Sequence, residues 1–278
     1  MLNSQNFIAA CVQLNSQNNL TDNLEKINKF VSEAAQAGAS FITLPENAFF
    51  MAENHVELFQ HSPKMLQHNA IIVMQKLAQQ HKIWLLFTLA VQADELADKL
   101  ANRSVLISPE GEIASHYDKI HLFDANVKGD QTYQESKNAI NGSKAVIADL
   151  PWGKLGQTIC YDLRFPHLFR ALAKNGAKFI TVPAAFTYKT GQAHWHSLLR
   201  ARAIENACYI IAPAQCGMHP KGRRTYGHSL IINPWGEILS EGTEEMEGVI
   251  VAKIEPEMVD DIRANLPSLN HDREFSFE

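Results

Sequence analysis

Cysteine is scarce in this chain. Only four occur in 278 residues, Cys11, Cys160, Cys208 and Cys216, and no two are spaced as a CxxC pair. That excludes a disulfide framework and thiol-based zinc motifs, and it predicts free thiols in a reducing compartment. No apolar run approaches the ~18–20 residues that a membrane-spanning helix requires. The opening stretch MLNSQNFIAACVQL has no positive segment before its short apolar run, so no secretory leader is expected and a cytoplasmic location is. Positive charge is in the minority, 25 Lys and Arg against 30 Asp and Glu for a net −5, which argues against nucleic acid or a membrane surface as partner. The one basic cluster, Lys221–Arg224, reads as a solvated loop. Its surroundings, Gly217–Arg224, lack the Lys-Ser/Thr ending of a phosphate loop, and no GxGxxG occurs, so no cofactor is expected. The 12 histidines include no HExxH, and His194 and His196 stand two apart on a predicted helix, facing different ways; no metal is expected.

What is present is an ordinary globular composition with 46% hydrophobic residues, long enough for one large domain or two tightly joined ones. Short apolar runs alternate with longer amphipathic ones. Phe7–Leu14 is strand-like, Asn23–Ala37 carries Leu24, Ile27, Phe30, Val31 and Ala34 at helical spacing, and Gly38 follows as a stop. A strand over Ser40–Leu44, a helix around Met65–Gln80 and a wholly apolar strand over Ile83–Ala90 come next. Such strands between helices predict sheets covered on both faces.

The chain also repeats itself. Ser40–Pro45 (SFITLP) resembles Lys178–Pro183 (KFITVP), and Asn102–Ser115 (NRSVLISPEGEIAS) matches Gly227–Ser240 (GHSLIINPWGEILS) at a constant offset. Each longer copy is a strand, a Pro-x-Gly turn and a second strand, the pattern of a hairpin. Two copies are too few for a solenoid. They predict an α/β fold with two pseudo-repeated halves, whose sheets pack face to face with helices outside, in four αββα layers.

Three polar residues stand where apolar strands run out: Glu46 after Phe41–Pro45, Lys119 after Glu112–Asp118, and Cys160 after Leu155–Ile159. Catalytic groups in open α/β folds gather at strand ends. A carboxylate, an ammonium and a thiol meeting there would supply a base, an electrostatic stabiliser and a nucleophile.

Leu44-Pro45-Glu46-Asn47, Tyr117-Asp118-Lys119-Ile120-His121 and Ile159-Cys160-Tyr161-Asp162-Leu163-Arg164 resemble the three signature stretches of the nitrilase superfamily of carbon–nitrogen hydrolases. The resemblance spans Phe7 to Phe275 and implies one domain over 1–278, with 255–278 a C-terminal tail. It implies the αββα sandwich, a Glu46–Lys119–Cys160 triad, a thioester on Cys160 and a backbone oxyanion donor at Tyr161. It also implies a second glutamate, Glu135, beside the lysine, although Val127–Asp130 departs from the usual Pro-Gly-Gly type of stretch there.

Ala214–Pro220 followed by Tyr226–Ser229 resembles the amidase branch that acts on deaminated glutathione. The alternatives are a sibling ω-amidase on α-ketoglutaramate or α-ketosuccinamate, and a silent metabolite-binding relative. A small-molecule α-ketoacid amide is then the partner, with Arg164 expected to fork its carboxylate and Phe186 and Thr190 to complete that end. For Arg164 a structural ion pair with a nearby acid such as Asp162 is the competing reading. Relatives of this kind form a homodimer or higher homo-oligomer.

Overall fold

The computed structural model describes residues 5–278 apart from 95, 97 and 130. The first four residues of the opening stretch, and the end of Val127–Asp130, therefore lie outside the described residues. The first half runs β1 (Phe7–Gln13), α1 (Leu20–Gln36), β2 (Phe41–Thr43), α2 (His55–Gln60), α3 (Asn69–His81), β3 (Trp84–Gln92), β4 (Leu100–Ile107) and β5 (Ile113–Asp118). A ribbon of β6 (Asp124–Asn126) and β7 (Thr132–Gln134) follows. The second half runs β8 (Val146–Leu150), β9 (Gly153–Gln157), α4 (Pro166–Lys174), β10 (Ala177–Thr181), α5 (Tyr188–Asn206) and β11 (Tyr209–Ala212). After a ribbon of β12 (Cys216–Met218) and β13 (Arg224–Tyr226) come β14 (Leu230–Ile232), β15 (Ile238–Glu241), β16 (Gly248–Ile254) and α6 (Pro256–Asn265).

The duplication is real at the level of register. One sheet has the order β16-β1-β2-β3-β4-β5, and the other, read from its far edge, β8-β9-β10-β11-β14-β15. In each, three parallel strands are flanked by antiparallel ones. Both hairpins slip register at the same place, with Ile107 opposite Ile113 and Ile232 opposite Ile238. Their turns use Gly111 and Gly236 at φ +79° and +87°, where a Cβ would be strained. The two sheets differ in how their outer strand is supplied: the second takes it from β8, just before it, whereas the first must wait for β16 at the far end of the chain.

Alternation along the strands builds the layers. Phe7, Ala9 and Cys11 of β1 join Phe41, Leu86, Leu106, Phe179, Tyr209 and Ile211 in a core between the sheets. Ala10 and Val12 point the other way, with Ile27, Val31, Met74 and Leu77 under α1 and α3. In the second half Ile180, Ile210 and Ile232 meet Leu168, Phe169, Trp195 and Leu199 beneath α4 and α5. Three cores between four layers make the αββα sandwich.

α1 starts three residues before the expected Asn23, because Asn19 caps it, accepting from the N–H groups of Thr21 and Asp22 at 3.0 and 3.3 Å. Asn23 is instead a buried helix residue whose amide donates to the carbonyls of Gln17 and Phe49 at 2.7 and 2.9 Å. Over 255–278 the chain lies back on its own surface. Val259 of α6 is buried, Arg263 donates to the Ala177 carbonyl at 2.7 Å, and Asp272 pairs with Arg170 and Lys174; Phe275 and Phe277 beyond it are exposed.

Candidate active site

Glu46, Lys119 and Cys160 come from three chain segments and meet at one end of the sandwich. Glu46 lies past the carboxyl end of β2, Cys160 past that of β9, and Lys119 past β5, where its N–H donates to the Asn102 carbonyl of β4 at 2.9 Å. All three are buried, at 3, 2 and 7% exposure for Glu46, Lys119 and Cys160.

Cys160 opens a 3₁₀ turn, Cys160–Arg164, with φ +47°, a left-handed conformation that a side-chain-bearing residue holds only under outside constraint. The constraint is visible. The Cys160 N–H donates to the Pro183 carbonyl at 3.0 Å. Asp162, fully buried, accepts from the Ile159 N–H at 2.8 Å, the Tyr117 hydroxyl at 2.7 Å, and the His121 N–H and Nδ1 at 3.1 and 2.7 Å. Four donors on one carboxylate pin the turn that aims the sulfur.

Lys119 Nζ donates to Glu46 Oε1 at 2.8 Å and to Glu135 Oε2 at 2.9 Å. Glu46 Oε2 accepts from the Ala185 N–H at 3.0 Å, and the Glu46 carboxylate acts electrostatically on the neighbouring Cys160 thiol. Burial by itself would raise the Glu46 carboxyl, but the Lys119 ammonium outweighs it and brings the pKa down to about 2. Burial likewise opposes charge on Lys119, and Glu135 and Glu46 overcome it, holding the amine well above its usual range. The thiol goes the other way: burial and the Glu46 carboxylate push Cys160 well up, against a smaller pull from Lys119. The resting site therefore pairs a neutral thiol with an ionised base and a charged ammonium.

Asn102 is the member of this network that sequence reading missed. Its amide donates to Glu46 Oε1 at 2.8 Å and to Glu135 Oε1 at 3.2 Å, and the Phe123 N–H donates to Glu135 Oε2 at 2.7 Å. The signal lay in the repeat itself, since Asn102 opens the duplicated hairpin and its counterpart is Gly227.

These groups line a cavity of about 330 Å³ that also includes Tyr161, Arg164, Phe186 and Thr190. The Tyr161 N–H, in the first turn after the thiol, has no acceptor among the described residues. Arg164 stacks its guanidinium 5.3 Å from the Phe186 ring centre and meets His194 Nδ1 at 3.3 Å. It pairs with no acid among the described residues, Asp162 included, whose oxygens are already taken, so the ion-pair reading is not met there. Phe186 packs 4.9 Å from Trp195 and also lines the cavity. Thr190 Oγ1 is held by Thr187 Oγ1 at 2.6 Å.

The basic cluster is not a solvated loop throughout. Lys221 and Arg223 line the cavity, and only Arg224 turns outward to Glu244 and Glu245. Folding the β12–β13 ribbon over the site brings them there, which charge counting along the chain does not reveal. Of the two helix histidines, His194 faces Arg164 and His196 faces Glu241, which also meets His228; His196, His228 and Glu241 place ligand-type atoms within 4.8 Å of one another, among residues that do not line the cavity.

Known proteins resemble this chain in sequence and in fold. Residues 8–264 match the carbon-nitrogen hydrolase family model. A protein of Synechocystis named deaminated glutathione amidase is 42% identical over 95% of this chain and 97% of its own, and one of Yersinia enterocolitica with the same name is 39% identical over 97% and 94%. Among solved structures, Saccharomyces cerevisiae Nit3, described as a member of branch 10 of the nitrilase superfamily, superposes with a TM-score of 0.84 at 29% identity over 95% of both chains. The C. elegans NitFhit protein superposes with a TM-score of 0.88 at 34% identity; the match covers 96% of this chain but 65% of that longer one. The chain belongs to the carbon–nitrogen hydrolase family of the nitrilase superfamily and is a hydrolase of carbon–nitrogen amide bonds.

Proposed function

We propose that this enzyme hydrolyses the amide bond of deaminated glutathione through a thioester on Cys160. The observation that carries the mechanism is the Lys119 Nζ to Glu46 Oε1 contact of 2.8 Å, in the same cavity as the Cys160 thiol. The substrate follows from the shared name of the relatives at 39–42% identity over nearly the whole chain.

Because the proton rests on sulfur, attack and deprotonation go together. Glu46 accepts the thiol proton as sulfur bonds to the amide carbon. The developing oxyanion lies toward the Lys119 ammonium and the free Tyr161 N–H, and one such donor is worth ~3–4 kcal/mol in the transition state. As the C–N bond breaks, Glu46 returns the proton to the departing nitrogen and the amine leaves. Water then attacks the thioester, giving its proton to Glu46, which passes it to the sulfur as the acid departs. Glu135 holds Lys119 between two carboxylates so that its ammonium stays in place. Arg164 receives the carboxylate of the 2-oxo acid, with Phe186 and Thr190 shaping that end.

The whole chain, 1–278, acts as one catalytic domain with 255–278 as its C-terminal segment. Four free thiols suit a reducing cytoplasm. Homo-oligomer formation is supported by the adjoining exposed apolar residues Ile204 and Trp235 at the turn around Gly236, and sedimentation velocity tests it. The deciding experiment measures amine release from deaminated glutathione, α-ketoglutaramate and a simple nitrile. Deaminated glutathione is expected to lead in kcat/KM, and a hundredfold preference for α-ketoglutaramate would overturn the assignment. Cys160→Ala is expected to abolish release with an unchanged circular dichroism spectrum; full activity would reject the nucleophile.

A further inference from the structure

Two arginines line the reaction cavity, and only one has been given a task. Arg223 follows the 3₁₀ turn Pro220–Gly222 and belongs to a different segment from Arg164. Its Nη2 donates to the Ala185 carbonyl at 3.0 Å, its Nη1 touches the Met51 sulfur at 3.5 Å, and its guanidinium lies 5.7 Å from the Tyr133 ring centre. Its Nε is buried and has no partner, and no carboxylate among the described residues pairs with it. The neighbouring Arg224 shows the contrast, spending its guanidinium on Glu244 and Glu245.

A buried guanidinium donor left unsatisfied costs free energy until an acceptor arrives. Lys221, on the same turn, also lines the cavity and has no ion pair among the described residues; its backbone is left-handed, at φ +58°. Arg223 also touches the backbone of Ala185, whose N–H holds Glu46, so this cationic turn is tied directly to the reacting centre. An acceptor with two parallel oxygens fits an Arg fork best.

We propose that Arg223, assisted by Lys221, forms a subsite for a second carboxylate, on the leaving-amine side of the scissile bond. The enzyme then selects amides that carry an acid on both sides of the bond, and the C-terminal glycine carboxylate of deaminated glutathione fills this subsite. This rests on the amidase reading above, which assigns Arg164 to the acyl-side carboxylate.

The test is binding to the Cys160→Ala protein by calorimetry, with deaminated glutathione compared against the same compound bearing a C-terminal carboxamide. The acid is expected to bind at least about tenfold more tightly, a difference of ~1.4 kcal/mol. Adding Arg223→Gln should shrink that difference to within about twofold, while Arg223→Lys, keeping the charge but losing the fork, should leave an intermediate value. Equal binding of acid and carboxamide to Cys160→Ala, including no binding of either, overturns the subsite, and so does a difference that survives in Arg223→Gln. Failure of the amidase reading shows separately, as wild-type enzyme that binds the acid preferentially yet releases no amine.

Discussion

Cys160 cannot be its own activator. Burial and the Glu46 carboxylate hold its proton on sulfur, so the rate depends on how well Glu46 is kept ionised and aimed. Asn102 does part of that aiming, donating to both Glu46 and Glu135. Asn102→Ala removes a charge-assisted hydrogen bond worth about 1.5–3 kcal/mol. The expected result is a fall in kcat of about tenfold to a hundredfold with little change in KM. Steady-state kinetics checks it, and an unchanged kcat would show that Lys119 and the Ala185 N–H suffice. Selective labelling follows from the same geometry. Iodoacetamide should modify Cys160, which lines the cavity, ahead of Cys11, Cys208 and Cys216, which do not. Peptide mapping reads the order.

At the scale of elements, the 3₁₀ turn Cys160–Arg164 is held by the four hydrogen bonds that Asp162 accepts. Asp162→Ala leaves the Tyr117 hydroxyl, the Ile159 N–H and His121 facing a hole. A loss of about 3–5 kcal/mol of stability is expected from breaking a buried network at one end. Urea unfolding measures it, and amidase activity should fall with it because Cys160 loses its strained backbone setting. The N-cap of α1 is the opposite case. Asn19→Ala should cost about 1 kcal/mol and leave catalysis alone, since α1 covers the outer face of the first sheet.

Over the whole molecule, two buried histidines couple folding to pH. His219 donates Nδ1–H to the Ser16 carbonyl at 2.8 Å and places Nε2 2.7 Å from the Thr225 hydroxyl, contacts that the neutral ring satisfies. His68 accepts the Ala70 N–H at 3.2 Å as the cap of α3, again as a neutral ring. Burial lowers both from 6.5 to about 4. Between those values the unfolded chain binds more protons than the folded one, so stability is complete above about pH 6.5 and drains away as pH falls toward 4. Each histidine accounts for about 3 kcal/mol over that window. Thermal melts from pH 7 to pH 4 should show a steep decline that His68→Gln with His219→Gln makes shallower. A decline of equal slope in the double variant would assign it to carboxylates instead.

The two halves, their hairpins and the layered fold were legible in the sequence, because strand alternation and Pro-x-Gly turns are local and the duplicated segment keeps a constant offset. Glu46, Lys119, Glu135 and Cys160 were legible as strand-end residues or through family resemblance. Distance in space was not. Asn102, the Asp162 hub and the cavity-facing Arg223 are ordinary polar residues along the chain. They acquire their settings only when the sheets pack and the β12–β13 ribbon folds over the strand ends. Local chemistry selects elements, but burial and electrostatic neighbourhood arise only from contacts between segments far apart in the chain, and those decide which carboxylate is ionised, which thiol is neutral and which cation has no carboxylate partner among the described residues.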